Sequence, residues 1–206
     1  MTTSAIGTRE RILDRGLDLL SEAGLSGVTL GVLAQEVGMS KSGLFAHFHS
    51  KGDVQIALLG HMAGVADEHV VRPAMGAAEG LPRLKALVNR WLGWTTKAGL
   101  RGGCPVAAAM FELDDAQGEV RATVVAMEAR WRGLLTRLVR EAVDRGHLRS
   151  DLNVDQFVWE LCGIYLSHHA SRRFLRDARS DQRARTAFES LLARAESIPK
   201  KKAGRK

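Results

Sequence analysis

The sequence predicts an all-α fold of about nine helices, and three observations predict it. Apolar residues recur every three or four positions through most of the chain, the spacing of a single buried helical face. Ser, Thr or Asn opens most of these stretches and Gly closes several, as helix capping requires. No segment of four to eight residues alternates apolar and polar side chains between strand-like flanks.

Taken in order, residues 8–23 set Ile12, Leu13, Gly16, Leu17, Leu20 and Ala23 on one face, closed by Gly24. Thr29 caps a short helix that turns Val32, Leu33 and Val37 inward and ends at Gly38. Ser40 caps a third helix, Lys41 to Phe48, and Ser50 a fourth from Lys51 to about Val71, broken by Arg72-Pro73. A fifth follows Pro82 and runs to about Lys97. After a Gly-rich break over 99–105, Pro105 starts a short sixth helix ending near Asp114. Gln117 to Arg145 reads as one long helix, ended by Gly146. Asn153 caps an eighth helix to about Leu175, and Ser180 a ninth to about Ser197. Residues 1–50 hold the first three helices and 51–198 the other six, followed by a basic, disordered tail over 199–206.

Composition narrows the class. The 206 residues are 45% hydrophobic and 26% charged, an ordinary globular balance. No apolar run approaches the roughly 18–20 residues a membrane span needs, and Met1 to Arg11 lacks the apolar stretch of a signal peptide. Cys104 and Cys162 are too few and too far apart for a disulfide framework. A soluble cytoplasmic protein with no membrane partner is expected. The net charge of +7 says little about partners once it is located. Residues 1–60 carry five Lys/Arg against six Asp/Glu, a net of −1, whereas residues 200–206 carry five bases and no acid. Such a tail reads first as a solubilising end.

Thr29 to Lys51 carries the functional signal. Two short capped helices are joined by Gly38-Met39-Ser40, with Gly38 supplying a left-handed turn and Ser40 the next cap. That is the layout of a helix-turn-helix, whose second helix enters the major groove and reads bases from its N-terminal end. Lys41, Ser42 and Gly43 stand at that end, small or cationic and able to approach base edges. Leu44 and Phe48, four apart, face the domain core, while Phe45, His47 and Lys51 lie toward the DNA backbone.

The run Val28-Thr29-Leu30 through Ala34-Gln35-Glu36-Val37-Gly38-Met39-Ser40-Lys41-Ser42-Gly43-Leu44-Phe45-Ala46-His47-Phe48, then Ser50-Lys51, resembles the DNA-binding signature of the TetR (tetracycline-repressor-like) family. The motif match spans residues 8–60; beyond Val71 the resemblance is one of architecture. It implies that Thr29 touches a phosphate, that Lys41 to Gly43 read bases, and that His47 and Lys51 hold phosphates. Phe45 stands where the family often has Tyr, so a hydroxyl-to-phosphate bond gives way to packing on a sugar or thymine methyl. Gly43 likewise replaces a commoner Thr. The resemblance implies a helix-turn-helix DNA-binding domain over 1–50 and a ligand-binding and dimerisation domain over 51–198, and the implied partners are operator DNA, a small effector and a second copy of the chain, with no cofactor.

The C-terminal helices add two expectations. The helix over 153–175 is apolar on two sides, one carrying Phe157, Leu161, Tyr165 and His168, the other Trp159, Cys162, Leu166 and His169. The helix over 180–197 carries a stripe of Ala184, Ala187, Phe188, Leu191 and Ala195. Trp159, Cys162 and Leu166 with Ala184, Ala187, Phe188 and Leu191 are the expected dimer interface, similar to the family's four-helix interface. An effector pocket is expected among Met62, Trp91, Trp94, Val106, Met110, Met127, Phe157, Leu161, Tyr165 and His168. Tyr165 and His168 are its few polar groups, for an uncharged, hydrophobic or aromatic ligand.

Cys104, after Gly102-Gly103 and at a helix start, offers an alternative as an electrophile or redox sensor. Catalysis is not expected: no His-Glu-x-x-His, Gly-x-Ser-x-Gly, phosphate loop or dinucleotide fingerprint is present, and no metal site. A DNA-packaging role would require basic charge over the N-terminal segment, which is net −1.

Overall fold

The computed structural model describes residues 7–196, and the expected tail over 199–206, like Ser197, lies outside them. Among the described residues there is no β-strand, only an isolated antiparallel bridge between Leu148 and Glu196. The helices are α1 (Thr8–Gly27), α2 (Leu30–Glu36), α3 (Lys41–Phe45), α4 (Lys51–Ala66), α5 (Arg72–Met75), α6 (Leu81–Trp91), α7 (Trp94–Lys97), α8 (Pro105–Glu112), α9 (Glu119–Asp144), α10 (Val154–Arg173) and α11 (Ser180–Ala195). A π-helical turn, Asp67–Val71, joins α4 to α5. α5 and α7 are single turns continuing α4 and α6, so the nine expected helices are recognisable in this order. No helix of the described residues is long and apolar enough to cross a membrane.

Four of the expected caps form. Thr29 accepts from the Val32 N–H (3.2 Å), Ser40 from Gly43 (3.0 Å), Ser50 from Asp53 (3.0 Å) and Asn153 from Gln156 (3.0 Å). Each takes one of the N–H groups that a helix start leaves without a partner. Ser180 departs from expectation: Arg179 holds the cap position without a side-chain bond, and Ser180 is the buried first residue of α11.

Other boundaries move for local reasons. α1 runs past Gly24, but Gly24 itself is non-helical (φ 67°, ψ −176°) and kinks the helix where an end was expected. α3 stops at Phe45 rather than Phe48, because His47 N–H bonds Leu44 C=O three residues back and tightens the turn; Phe48 is thereby buried. The fourth helix does not end at Arg72-Pro73. The Arg72 N–H bonds the Asp67 carbonyl five residues back, a widened turn that accommodates the Pro73 ring and its missing donor. The helix expected to reach Lys97 breaks at Gly93, whose φ of 72° is left-handed. Leu92 and Trp94 sit about 200° apart on a continuous helix; the break lets both be buried.

The chain divides into two compact units: residues up to Arg72 with Gly93–Arg130, and Pro73–Leu92 with residues from Trp131 on. In the first, Ile12, Leu17 and Leu20 of α1 are buried together with Leu33, Leu44, Leu58 and Leu59. Gly16 permits the approach, since a Cβ there would fall 2.7 Å from a Leu58 methyl and 3.1 Å from one of Leu33. Polar clamps hold the far end of α1. The buried Gln55 amide donates to Leu25 C=O (2.7 Å), and Glu112 at the end of α8 accepts from Leu25 and Ser26 N–H. Arg101 pairs with Asp18 and Glu22 of α1 and Glu36 of α2, each at 3.4 Å. Gly102 and Gly103 donate to the Ser21 hydroxyl and carbonyl (3.0 and 2.9 Å).

In the second unit, Leu84, Leu87, Val88 and Trp91 of α6, Leu135 and Val139 of α9, Phe157 and Leu161 of α10, and Phe188, Leu191 and Leu192 of α11 are buried. α10 and α11 pack against each other. Glu141 of α9 accepts from Gly80 N–H (2.6 Å) and pairs with Arg83 (3.3 Å), holding the start of α6.

A Cβ at Gly102 would lie 1.9 Å from the Ser21 carbonyl oxygen, a backbone atom that cannot step aside. Gly102→Ala is therefore expected to destabilise the chain by about 3 kcal/mol in urea unfolding. Gly60→Ala, within α4 and facing open space, is expected to add about 0.5–1 kcal/mol. A Gly102→Ala variant as stable as wild type would contradict the clamp.

Candidate functional site

α2 and α3 meet through Gly38, whose φ of 67° turns the chain so that Met39 N–H returns to Ala34 C=O (2.9 Å). The turn buries Leu33, Ala34, Leu44 and Phe48 on one side. On the other, Thr29, Lys41, Ser42 and Lys51 are exposed, Phe45 is 46% exposed, and Gly43 and His47 are half-buried. Of the seven expected DNA-contacting residues, Lys41, Ser42, Gly43 and Phe45 lie on α3, Thr29 caps α2, His47 follows α3 and Lys51 starts α4, with none in the core. The Lys41 side chain lies over Gly31, its Cε 3.2 Å from where a Cβ would sit, which carries the ammonium toward the start of α2. Ser42 Oγ is 3.0 Å from Ser40 Oγ, so its hydroxyl also stands at the cap. Ser50 and Asp53 form a reciprocal box: Asp53 N–H donates to Ser50, and His49 N–H to the Asp53 carboxylate (3.1 Å). This pins the α4 start that displays Lys51.

Two residues escaped the sequence reading. Gly31 is the space that Lys41 occupies. Arg9, in the first turn of α1, places its guanidinium 5.2 Å from the Phe48 ring centroid, beside the end of α3. Neither belongs to a periodic pattern, so only the packing reveals them.

The residues expected to line a pocket divide between the units. Met62, Trp94, Val106, Met110 and Met127 belong to the first, Trp91, Phe157, Leu161, Tyr165 and His168 to the second. The second five are all buried. Trp91 stacks on Tyr165 (centroids 4.1 Å apart, planes 12°) and meets Trp131 edge-on (4.8 Å, 61°). His168, next to Tyr165, donates through Nε2–H to Asp181 (2.7 Å), and Arg172 reaches the same carboxylate at 3.0 Å. The His168 hydrogen bond first, then the Arg172 charge, hold the Asp181 carboxyl below its ordinary range against partial desolvation. Burial, then the Arg173 charge, lowers His169. The Trp131 indole nitrogen is buried with no hydrogen-bond partner.

Of the residues expected at a dimer interface, Cys162, Ala184, Phe188 and Leu191 are buried within the single chain, and Ala187 and Leu166 are half-buried. Trp159 is 66% exposed. With Gly163, Leu166, Ala170 and Phe174 (85% exposed) it forms an apolar stripe at helical spacing along α10, and a Cβ at Gly163 would meet nothing. Cys104 holds the cap position of α8 and is 8% exposed. Among the described residues no group of three His, Cys, Asp or Glu is placed to hold a metal ion.

Residues 12–58 match the family model described as bacterial regulatory proteins, tetR family, and residues 80–188 the one described as tetracyclin repressor-like, C-terminal domain. An uncharacterized HTH-type transcriptional regulator of Mycobacterium tuberculosis is 30% identical over 149 residues, 68% of this chain and 75% of the relative. A TetR transcriptional regulator from Chloroflexus aurantiacus shares the fold at a TM-score of 0.83, with 22% identity over 93% of this chain and 96% of that one. The regulator FadR of Bacillus subtilis, solved with stearoyl-CoA, does so at 0.72, with 15% identity over 89% and 97%.

A carboxylate depressed in the folded chain stabilises it above its unfolded value and loses that contribution as pH falls through the folded value. Asp181→Asn should lower the melting temperature at pH 7, with the gap to wild type narrowing below about pH 4. His169, also depressed, resists protonation that the unfolded chain accepts from about pH 6.5 downward, so stability falls with pH there. His169→Gln should flatten that slope. Melting curves across pH check both; an Asp181→Asn gap that widened in acid would contradict the assigned network.

Proposed function

Because the chain belongs to the TetR family of bacterial transcriptional regulators, we propose that it is a cytoplasmic repressor that binds a near-palindromic operator as a dimer and is released by a small, apolar effector. Members of this family are DNA-binding regulators rather than enzymes. The observation that carries the proposal is the one-sided character of α2 and α3: Leu33, Leu44 and Phe48 are committed to the core, which leaves Thr29, Lys41, Ser42 and Lys51 facing out from one capped corner. Thr29, His47 and Lys51 take phosphates, with Arg9 adding a cation beside them, and Lys41, expected among the base readers, joins them because its side chain lies over Gly31 toward the start of α2. Ser42, Gly43 and Phe45 face base edges, the aromatic ring packing on sugar or a thymine methyl.

Two copies are needed because one five-residue α3 reads too little sequence to be specific. The exposed α10 stripe supplies the contact: Trp159 and Phe174 flank Gly163 and Ala170, and the small residues let a second helix approach closely. The α11 stripe instead contributes from beneath, by packing on α10.

An effector acts only by favouring a conformer whose recognition helices are misspaced. In the first unit, Arg101 in the loop before α8 and Glu112 at the end of α8 both hold the C-terminal half of α1, so a shift of α8 moves α1 with it. The FadR structure holds stearoyl-CoA, whose acyl chain is apolar and whose coenzyme A part is anionic; the acyl chain supports an apolar moiety in the effector.

Selection of bound duplexes from random DNA, followed by titration, tests the whole. A near-palindrome with half-sites about 34–36 Å apart, or a multiple of that, should emerge. Lys51→Ala should weaken every duplex alike and lower the salt slope by about one, whereas Gly43→Leu should abolish sequence preference and spare random DNA. Trp159→Arg with Gly163→Glu should leave the chain folded, give monomers in light scattering and lose operator binding. A wild-type chain that bound no duplex in preference to random DNA would sink the proposal.

A further inference from the structure

We propose that the Trp91–Trp131–Tyr165 cluster recognises the effector's polar atom, with the Trp131 indole N–H donating to a neutral carbonyl or ether oxygen on a planar, otherwise apolar ligand. This deepens the effector reading given above and rests on it. Trp131 Nε1 is buried without a partner, while the polar groups further along α10 are committed: His168 and Arg172 both bind the Asp181 carboxylate. A buried donor has lost its water on folding, so an arriving oxygen gains the hydrogen bond without stripping Trp131 again. The Trp131 residue is only half-buried, so part of its ring is reachable although the nitrogen is not. A ligand must turn or displace a neighbour to reach the nitrogen, and it therefore favours one conformer over another.

Chemistry narrows the ligand. The Trp91–Tyr165 stack and the Trp131 edge present flat aromatic surface, which suits a planar partner. A carboxylate would lose its hydration against a single neutral donor, with Arg172 already tied to Asp181. A pure hydrocarbon would leave the N–H unpaired.

Two probes of the same shape separate these cases: 2-acetylnaphthalene and 2-ethylnaphthalene, which differ by a carbonyl in place of a methylene. Titrations use the full chain labelled with 15N at the indole nitrogens of its four tryptophans. The signal missing in Trp131→Phe belongs to Trp131. The ketone should bind about tenfold tighter than the hydrocarbon and move that signal downfield, and Trp131→Phe should bind both equally. Should Trp131→Phe not fold, Phe replacements at the other three tryptophans assign the signal by elimination, and the wild-type preference and shift decide alone. Equal binding by wild type, a preference that Trp131→Phe retains, an unmoved Trp131 signal, or failure of both probes to bind overturns the proposal; the N–H is then held by the Trp91 face or by water. Operator selection without ligand judges the repressor reading separately.

Discussion

The seating of α1 is the constraint on which the first unit depends. Gly16 removes a side chain where Leu33 and Leu58 come closest, and Gly102 removes another where the loop before α8 meets Ser21. Between these two contacts α1 is a fixed beam. It buries one apolar face against α2 and α4 and accepts three polar attachments at its far end: Gln55 on Leu25, Glu112 on Leu25 and Ser26, and Arg101 on Asp18 and Glu22. Exposed ion pairs contribute little singly. Their role here is geometric, because Arg101 also reaches Glu36 and so ties the helix-turn-helix to the same loop.

That arrangement explains how so short an element as α3 holds its shape. Five residues cannot sustain a helix alone. Ser40 satisfies an N–H at its start, the tightened turn through His47 ends it, and Leu44 and Phe48 anchor its inner side. What remains outward is a small polar and cationic surface whose orientation is set by the residues buried behind it.

The second unit solves a different problem, that of burying polar groups. Along α10, Phe157 and Leu161 are apolar and buried, Tyr165 stacks on Trp91, and His168 carries the line to the charged Asp181 and Arg172. Polarity rises along one face of α10, while on α9 the buried Trp131 donor is left without a partner.

Local chemistry was legible in the sequence. Thr29, Ser40, Ser50 and Asn153 act within three residues of themselves, so the pattern alone located the helix starts and the corner between α2 and α3. The family signature over 8–60 was legible for the same reason, being a run of neighbouring residues. The continuation through Pro73, the break at Gly93 and the loss of Ser180 as a cap were not, because each turns on which of several allowed backbone conformations the segment adopts, which residue type alone does not fix. So too with faces. Periodicity showed that α10 is apolar on two sides, but Cys162 and Trp159 carry the same signal in sequence, and only the packing of α11 decides that one is covered and the other open. Arg9 beside Phe48, Lys41 over Gly31 and the unpaired Trp131 nitrogen belong to that second kind of fact. Hydrogen bonds to the next turn are written in the chain, whereas a partner that arrives from another helix is settled only when the chain closes on itself.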